Sequence, residues 1–178
     1  MTISKELFLA ILALDSYNRG YGAGIDDGVG TDDGLGVNGA SIGNAAILRD
    51  RGNDAAKDAG FYAVAYTLGE AVGSGADALA SGSTVISYRG TDNFEAYNKA
   101  SGANDVINGW LGGSGTPTSQ TSLALEFYES VTGKSVFEGA AENTILTGHS
   151  LGGGLAGLVS ALSTTPGLGY DRSWRPAA

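Results

Sequence analysis

The sequence predicts an α/β fold, a single domain in which helices flank a sheet with at least some parallel strands. Three observations predict it. Short apolar runs at 61–68, 84–88 and 143–147 read as strands. A helical stretch separates the second from the third, and another follows the third, so strand and helix alternate. That last stretch, Leu151 to Leu162, is made largely of small residues, among them Gly152, Gly153, Gly154, Ala156 and Gly157, which lets a helix lie close against a sheet.

Composition sets the outer bounds. A chain of 178 residues has room for one domain with a sizeable core. Thirty glycines, well above the usual share of about 7%, imply many tight turns and close backbone approaches. A formal charge of -9 disfavours nucleic acid and anionic membrane surfaces as partners held by bulk charge. The lack of cysteine excludes disulfides, thiolate catalysis and Cys-ligated zinc. No apolar run reaches the ~18–20 residues that span a bilayer, so a soluble rather than an integral membrane protein is expected. Leu7 to Leu14 is apolar enough to mimic a signal-peptide core, but Glu6 precedes it and Asp15-Ser16-Tyr17-Asn18 follows without a small-x-small cleavage site. It reads as mature helix, and export without such a signal stays open.

In chain order, Leu7, Ile11, Leu14 and Tyr17 recur at helical spacing and predict a helix over 4–18, ended by Gly20 and Gly22. Residues 20–43 are loop-rich and contain a short repeat, Ile25-Asp26-Asp27-Gly28-Val29-Gly30 and Thr31-Asp32-Asp33-Gly34-Leu35-Gly36. Paired carboxylates and glycines suit a calcium ion, with Asp26, Asp27, Asp32 and Asp33 as ligands. The match to a calcium repeat is partial and covers barely two turns, so a solvated acidic loop is the preferred reading, with no cofactor. Residues 53–58 suggest a short helix, and 69–83 a turn region between strands. Thr84–Tyr88 lacks strict alternation, as a strand buried on both faces does. Residues 101–120 are irregular, with Val106, Ile107, Trp110 and Leu111 lining a short amphipathic turn. A helix starts at Thr118 or Ser119, places Leu123, Phe127 and Val131 on one face, and ends at Gly133 in the C′ position. Pro166 closes the helix after the third strand.

The chemistry concentrates in Gly148-His149-Ser150-Leu151-Gly152. This G-x-S-x-G pattern, lying between a predicted strand and a predicted helix, is that of a nucleophile elbow, which exposes a serine hydroxyl on a sharp, strained turn. Such a hydroxyl needs a general base, usually a histidine later in the chain. His149 is the only histidine, and none follows Ser150.

A second motif lies upstream. Tyr88-Arg89-Gly90-Thr91-Asp92, taken with Thr147-Gly148-His149-Ser150-Leu151-Gly152-Gly153, resembles the class 3 lipases, the fungal-type triacylglycerol lipase family of the α/β-hydrolases. The N-terminal helix and Asn18-Arg19-Gly20-Tyr21 are similar to bacterial lipase- or phospholipase-like members. The resemblance spans residues 61–165 or thereabouts. It implies an α/β-hydrolase-type sheet and a serine carboxylic-ester hydrolase acting on acylglycerols, phospholipids or short acyl esters. Ser150 is then the nucleophile. Thr91 and the backbone N–H of Leu151 form the oxyanion hole, and Gly148, His149 and Gly152 support the elbow.

The chain departs from the family after the elbow. The family places an acid beyond the next strand and a histidine near the domain's end. Here Asp171 is the only carboxylate side chain after Ser150. Residues 170–176 do not read as a buried strand, so the C-terminal strands are expected to be missing and the domain 1–178 to be partial. His149 adjoins Ser150, and side chains beside an elbow serine point away from it, which makes structural support its expected role. Asp92, Asp105 and Asp171 are substitute acid/base candidates, although a carboxylate is a weak base unless burial raises its pKa. Phe94 and Trp110 line an acyl pocket or belong to the core. A sheet cut short leaves an exposed edge, and a homo-oligomer covering it is expected. The alternative function is a catalytically incomplete fragment or a lipid-binding scaffold. A third reading is a calcium-dependent binding module built on the acidic loop.

Overall fold

A computed structural model describes residues 3–17, 42–51, 56, 59–90 and 119–170. The acidic repeat, nearly all of the 53–58 stretch, the irregular region and Asp171 lie outside the described residues. The first element is helix α1, Lys5–Asp15, whose Ser4 hydroxyl caps the N-terminus by accepting from the Leu7 N–H at 3.2 Å. Strands β1 (Ala45–Arg51), β2 (Ala63–Leu68) and β3 (Thr84–Tyr88) come next. Helix α2 (Ser119–Thr132), β4 (Thr144–His149), helix α3 (Leu151–Ser163) and β5 (Gly167–Tyr170) complete the order.

The strands form one mixed five-stranded sheet in the order β1-β2-β3-β4-β5. β1, β2 and β3 pair antiparallel, whereas β3, β4 and β5 pair parallel through the crossover helices α2 and α3. The α/β prediction holds, and β4 lies inside the sheet. One expectation is corrected: the sheet continues past the elbow strand, because β5 pairs with β4 from Leu146↔Gly167 to His149↔Tyr170. β5 was hidden because Gly167-Leu168-Gly169-Tyr170 carries no β-branched residue. Its position is set from its approach. The Leu146 N–H bonds to Pro166 O at 2.8 Å, and the buried Tyr128 and Thr165 hydroxyls bond each other at 2.7 Å and both accept from Ala141 N–H. β1 is equally faint in sequence, since Arg49, Asp50 and Arg51 interrupt it and its register slips between Ile47 and Arg49.

Alternate strand residues feed two cores. Phe61, Ala63, Ala65, Ile86, Tyr88 and Leu146 meet Phe127 and Tyr128 of α2 and Leu155, Ala156 and Val159 of α3. Tyr62, Val64, Tyr66 and Val85 meet Phe8, Leu9 and Leu12 of α1. Burial holds the Tyr88 phenol far above its ordinary pKa, with Tyr128 adding to the shift. It stays a neutral donor to Ala124 O at 3.2 Å.

α1 is found where predicted but turned on its axis. Phe8, Leu9, Leu12 and Ala13 are buried, while Leu7 and Leu14 of the predicted stripe are exposed. The helix is apolar nearly all round, so spacing alone could not select its inner face. Polar groups fix it. The Ser87 hydroxyl donates to Leu12 O at 3.1 Å and that of Thr147 to Leu9 O at 3.3 Å. Tyr66 OH donates to Oδ2 of the fully buried Asp15 at 2.6 Å. Tyr66→Phe removes a hydrogen bond from a buried carboxyl group and is expected to cost about 1–3 kcal/mol. The check is a lower urea midpoint with an unchanged m-value.

Candidate active site

Ser150 stands between the last residue of β4 and the first of α3, at the C-terminal end of the parallel strands. This is where open α/β sheets place their sites. Its backbone is at φ 55°, ψ -126°. The right-handed helical and extended regions are both excluded there, and glycine is the residue that suits it. The turn is held by close packing of backbone on backbone. A Cβ on Gly152 would overlap the Tyr88 carbonyl, and one on Gly148 would overlap the Gly152 carbonyl. Both glycines of the motif are therefore needed for space. The Ser150 carbonyl accepts from Gly153 N–H at 2.9 Å and Gly154 N–H at 3.3 Å, which starts α3. Leu151 is the first helical residue, so its N–H is one of the four that a helix leaves without an intrahelical acceptor.

The upstream motif reaches the same place. Arg89 is buried, with its N–H on Tyr62 O at 3.0 Å and its guanidinium 5.1 Å above the Tyr62 ring. This anchors the end of β3. Gly90 then packs directly on the elbow, where a Cβ would stand 3.1 Å from Ser150 Cβ and 2.5 Å from His149 O and would overlap Tyr17 OH. The two motifs, with Gly90 and Gly148 58 positions apart in the chain, thus meet in space, with Gly90 against Ser150. Thr91, Asp92, Phe94, Asp105, Trp110 and Asp171 lie outside the described residues, as do Asp26, Asp27, Asp32 and Asp33.

His149 is exposed rather than packed into the core. Its Nδ1 is 3.0 Å from Tyr17 OH, and the two rings meet edge-on with centroids 5.8 Å apart. By sequence Tyr17 is the last member of a helical stripe, with nothing to mark it as a partner of His149. Its contact with His149 spans 132 positions, a separation at which no local pattern carries a signal. Among the described residues, no group of His, Asp and Glu side chains gathers to hold a metal ion, and no helix is long and apolar enough to cross a membrane.

Comparison of the chain with family models, curated proteins and solved structures finds no match.

Two substitutions separate the strain at the elbow from its packing. Ser150→Gly relieves an unfavourable φ and is expected to raise stability by about 1 kcal/mol. Gly152→Ala drives a methyl into the Tyr88 carbonyl and is expected to lower stability by about 1–3 kcal/mol. Chemical denaturation of the two variants beside the parent chain reads both signs.

Proposed function

We propose that the chain is a serine carboxylic-ester hydrolase of the class 3 lipase type, acting on acylglycerols, phospholipids or short acyl esters. The observation that carries the proposal is Ser150 at φ 55°, ψ -126° at the strand-to-helix turn, outside the left-handed helical region that Thr164 (φ 57°, ψ 13°) occupies. Gly90 supports it by bringing the end of β3 against the nucleophile. In this reading Ser150 Oγ attacks the acyl carbonyl carbon, and the carbonyl oxygen becomes the oxyanion of a tetrahedral intermediate. The Leu151 N–H, free of an intrahelical acceptor, donates to that oxyanion from one side. Thr91, which follows Gly90 in the chain, donates from the other through its N–H and hydroxyl. Donors of this kind contribute about 3–4 kcal/mol each to the transition state. The base is a substitute carboxylate, Asp92, Asp105 or Asp171, or a group from a second chain.

One observation favours a second reading, that of a catalytically incomplete fragment or lipid-binding scaffold: no histidine follows Ser150. A single experiment separates the two. A fluorophosphonate probe forms a stable adduct only with an activated serine. The parent chain is expected to be labelled at Ser150 and to hydrolyse p-nitrophenyl esters, with Ser150→Ala falling to the uncatalysed rate on both. An unlabelled parent chain selects the second reading.

β5 stands at one end of the sheet order, beside the proposed nucleophile strand β4, and has four residues. We expect a second copy to cover that edge. Light scattering on a size-exclusion column should then give a multiple of 17.9 kDa, and a monomeric mass would rule the pairing out.

A further inference from the structure

The paired register of β3 and β4 has its last pair at Tyr88↔Gly148. Gly90 and Ser150 stand two residues beyond it, one on each chain end, so the ladder does not by itself fix the distance between them. Tyr17 stands against both ends. Its hydroxyl lies 3.0 Å from His149 Nδ1 and donates to His149 O at 3.4 Å. The same oxygen borders Gly90. Tyr17 OH, His149 O and Ser150 Cβ all surround the single methyl-sized space that a Cβ on Gly90 would fill. The tyrosine is buried just beyond the C-terminal end of α1, where its N–H bonds Leu14 O at 3.0 Å. α1 is in turn tied to β3 through Ser87 and to β4 through Thr147. The hydroxyl is therefore carried by an element fastened to both of the strands whose ends it touches.

We propose that Tyr17 is a positioning residue for the serine chemistry: its hydroxyl holds the elbow and the Gly90 end of β3 at a fixed separation, so that the Leu151 N–H on one and Thr91, next in the chain after the other, serve a single acyl carbonyl. This role rests on the serine-hydrolase reading. It is the same for either tautomer of His149, because it needs one oxygen in contact with both chain ends and not a proton at a given place. Two donors on separate segments stabilise an oxyanion only when both aim at the point where the charge develops. A small change in their separation is costly to the rate although it breaks no contact with substrate. A phenylalanine at position 17 would keep the ring in the core and leave the space between the two ends unfilled by one oxygen.

Fluorophosphonate labelling of Ser150, followed against probe concentration, yields a maximal rate and a half-saturating concentration. Tyr17→Phe is expected to lower the maximal rate by about tenfold and to leave the half-saturating concentration unchanged, as suits a residue that acts through the chain ends and not on the probe. A tyrosine with only a structural role would lower the urea midpoint and leave the maximal rate of the folded chain as it was. That result overturns the positioning role and leaves the hydrolase reading standing. Gly90→Ala tests the contact without any probe, because its methyl meets Tyr17 OH. It is expected to lower the urea midpoint less in the Tyr17→Phe background than in the parent chain, since the two positions share one space. Equal losses in the two backgrounds mean that the hydroxyl does not set the space at Gly90, and they overturn the proposal. If the parent chain is not labelled, the hydrolase reading fails and the positioning role fails with it, whatever the Gly90 variants show.

Discussion

The structure depends on one close approach, that of the first turn of α3 onto the end of β3. Gly152 lies so near the Tyr88 carbonyl that no side chain fits, and Gly148 lies equally near the Gly152 carbonyl. Backbone in contact with backbone leaves the connecting residue little freedom. β4 must turn into α3 within a single residue, and Ser150 takes up the change of direction at φ 55°. Gly90 extends the arrangement to the end of β3, where it rests on Ser150 Cβ. Three glycines from two motifs are thus required by one packing arrangement around the Ser150 backbone and Cβ.

The opposite face of the sheet supplies a second support. α1 is apolar almost all round, which would leave its rotation and depth poorly specified. Small hydroxyl side chains correct this, because Ser87 and Thr147 reach carbonyls in the middle of the helix. Tyr66 does the same at its C-terminal end through the buried Asp15. Each bond is worth only about 0.5–1.5 kcal/mol net. Their larger effect is on register, since a rotated or shifted helix would leave these buried groups without partners. Tyr17, two residues past Asp15, is delivered to His149 and Gly90 as a result. The elbow is braced from both layers, by α3 on one face and by the end of α1 on the other.

What was legible in the sequence follows from how local each feature is. The strand-to-helix turn at Ser150 was legible because its constraint is local, two glycines flanking a serine between a strand and a helix. The strand pattern at 84–88 and Gly133 at the end of α2, with φ 70°, were legible for the same reason. β5 was not, since its place is set by Tyr128, Thr165 and the β4 ladder rather than by its own residues. Nor was the inner face of α1, because Leu7 and Leu14 have the same apolar character as the buried Phe8 and Leu12. Tyr17 was visible as an aromatic residue but not as a partner, because His149 is 132 positions away.

Ser150 itself is the strongest argument for chemistry at this turn. A turn needed only to join β4 to α3 would be best served by glycine, which enters the positive-φ region without steric cost. The sequence is rich in glycine, and seven of its described glycines occupy positive φ. At the single position where three other glycines converge, it has serine. Strain of this kind costs about 1–3 kcal/mol and persists only where the surroundings impose it. Among the described residues the side chain makes no cap bond to α3, so the hydroxyl does not offset the strain by capping its own helix. A strained, half-buried serine with no part in capping its own helix, set beside the Leu151 N–H that opens that helix, accords with the nucleophile proposed above.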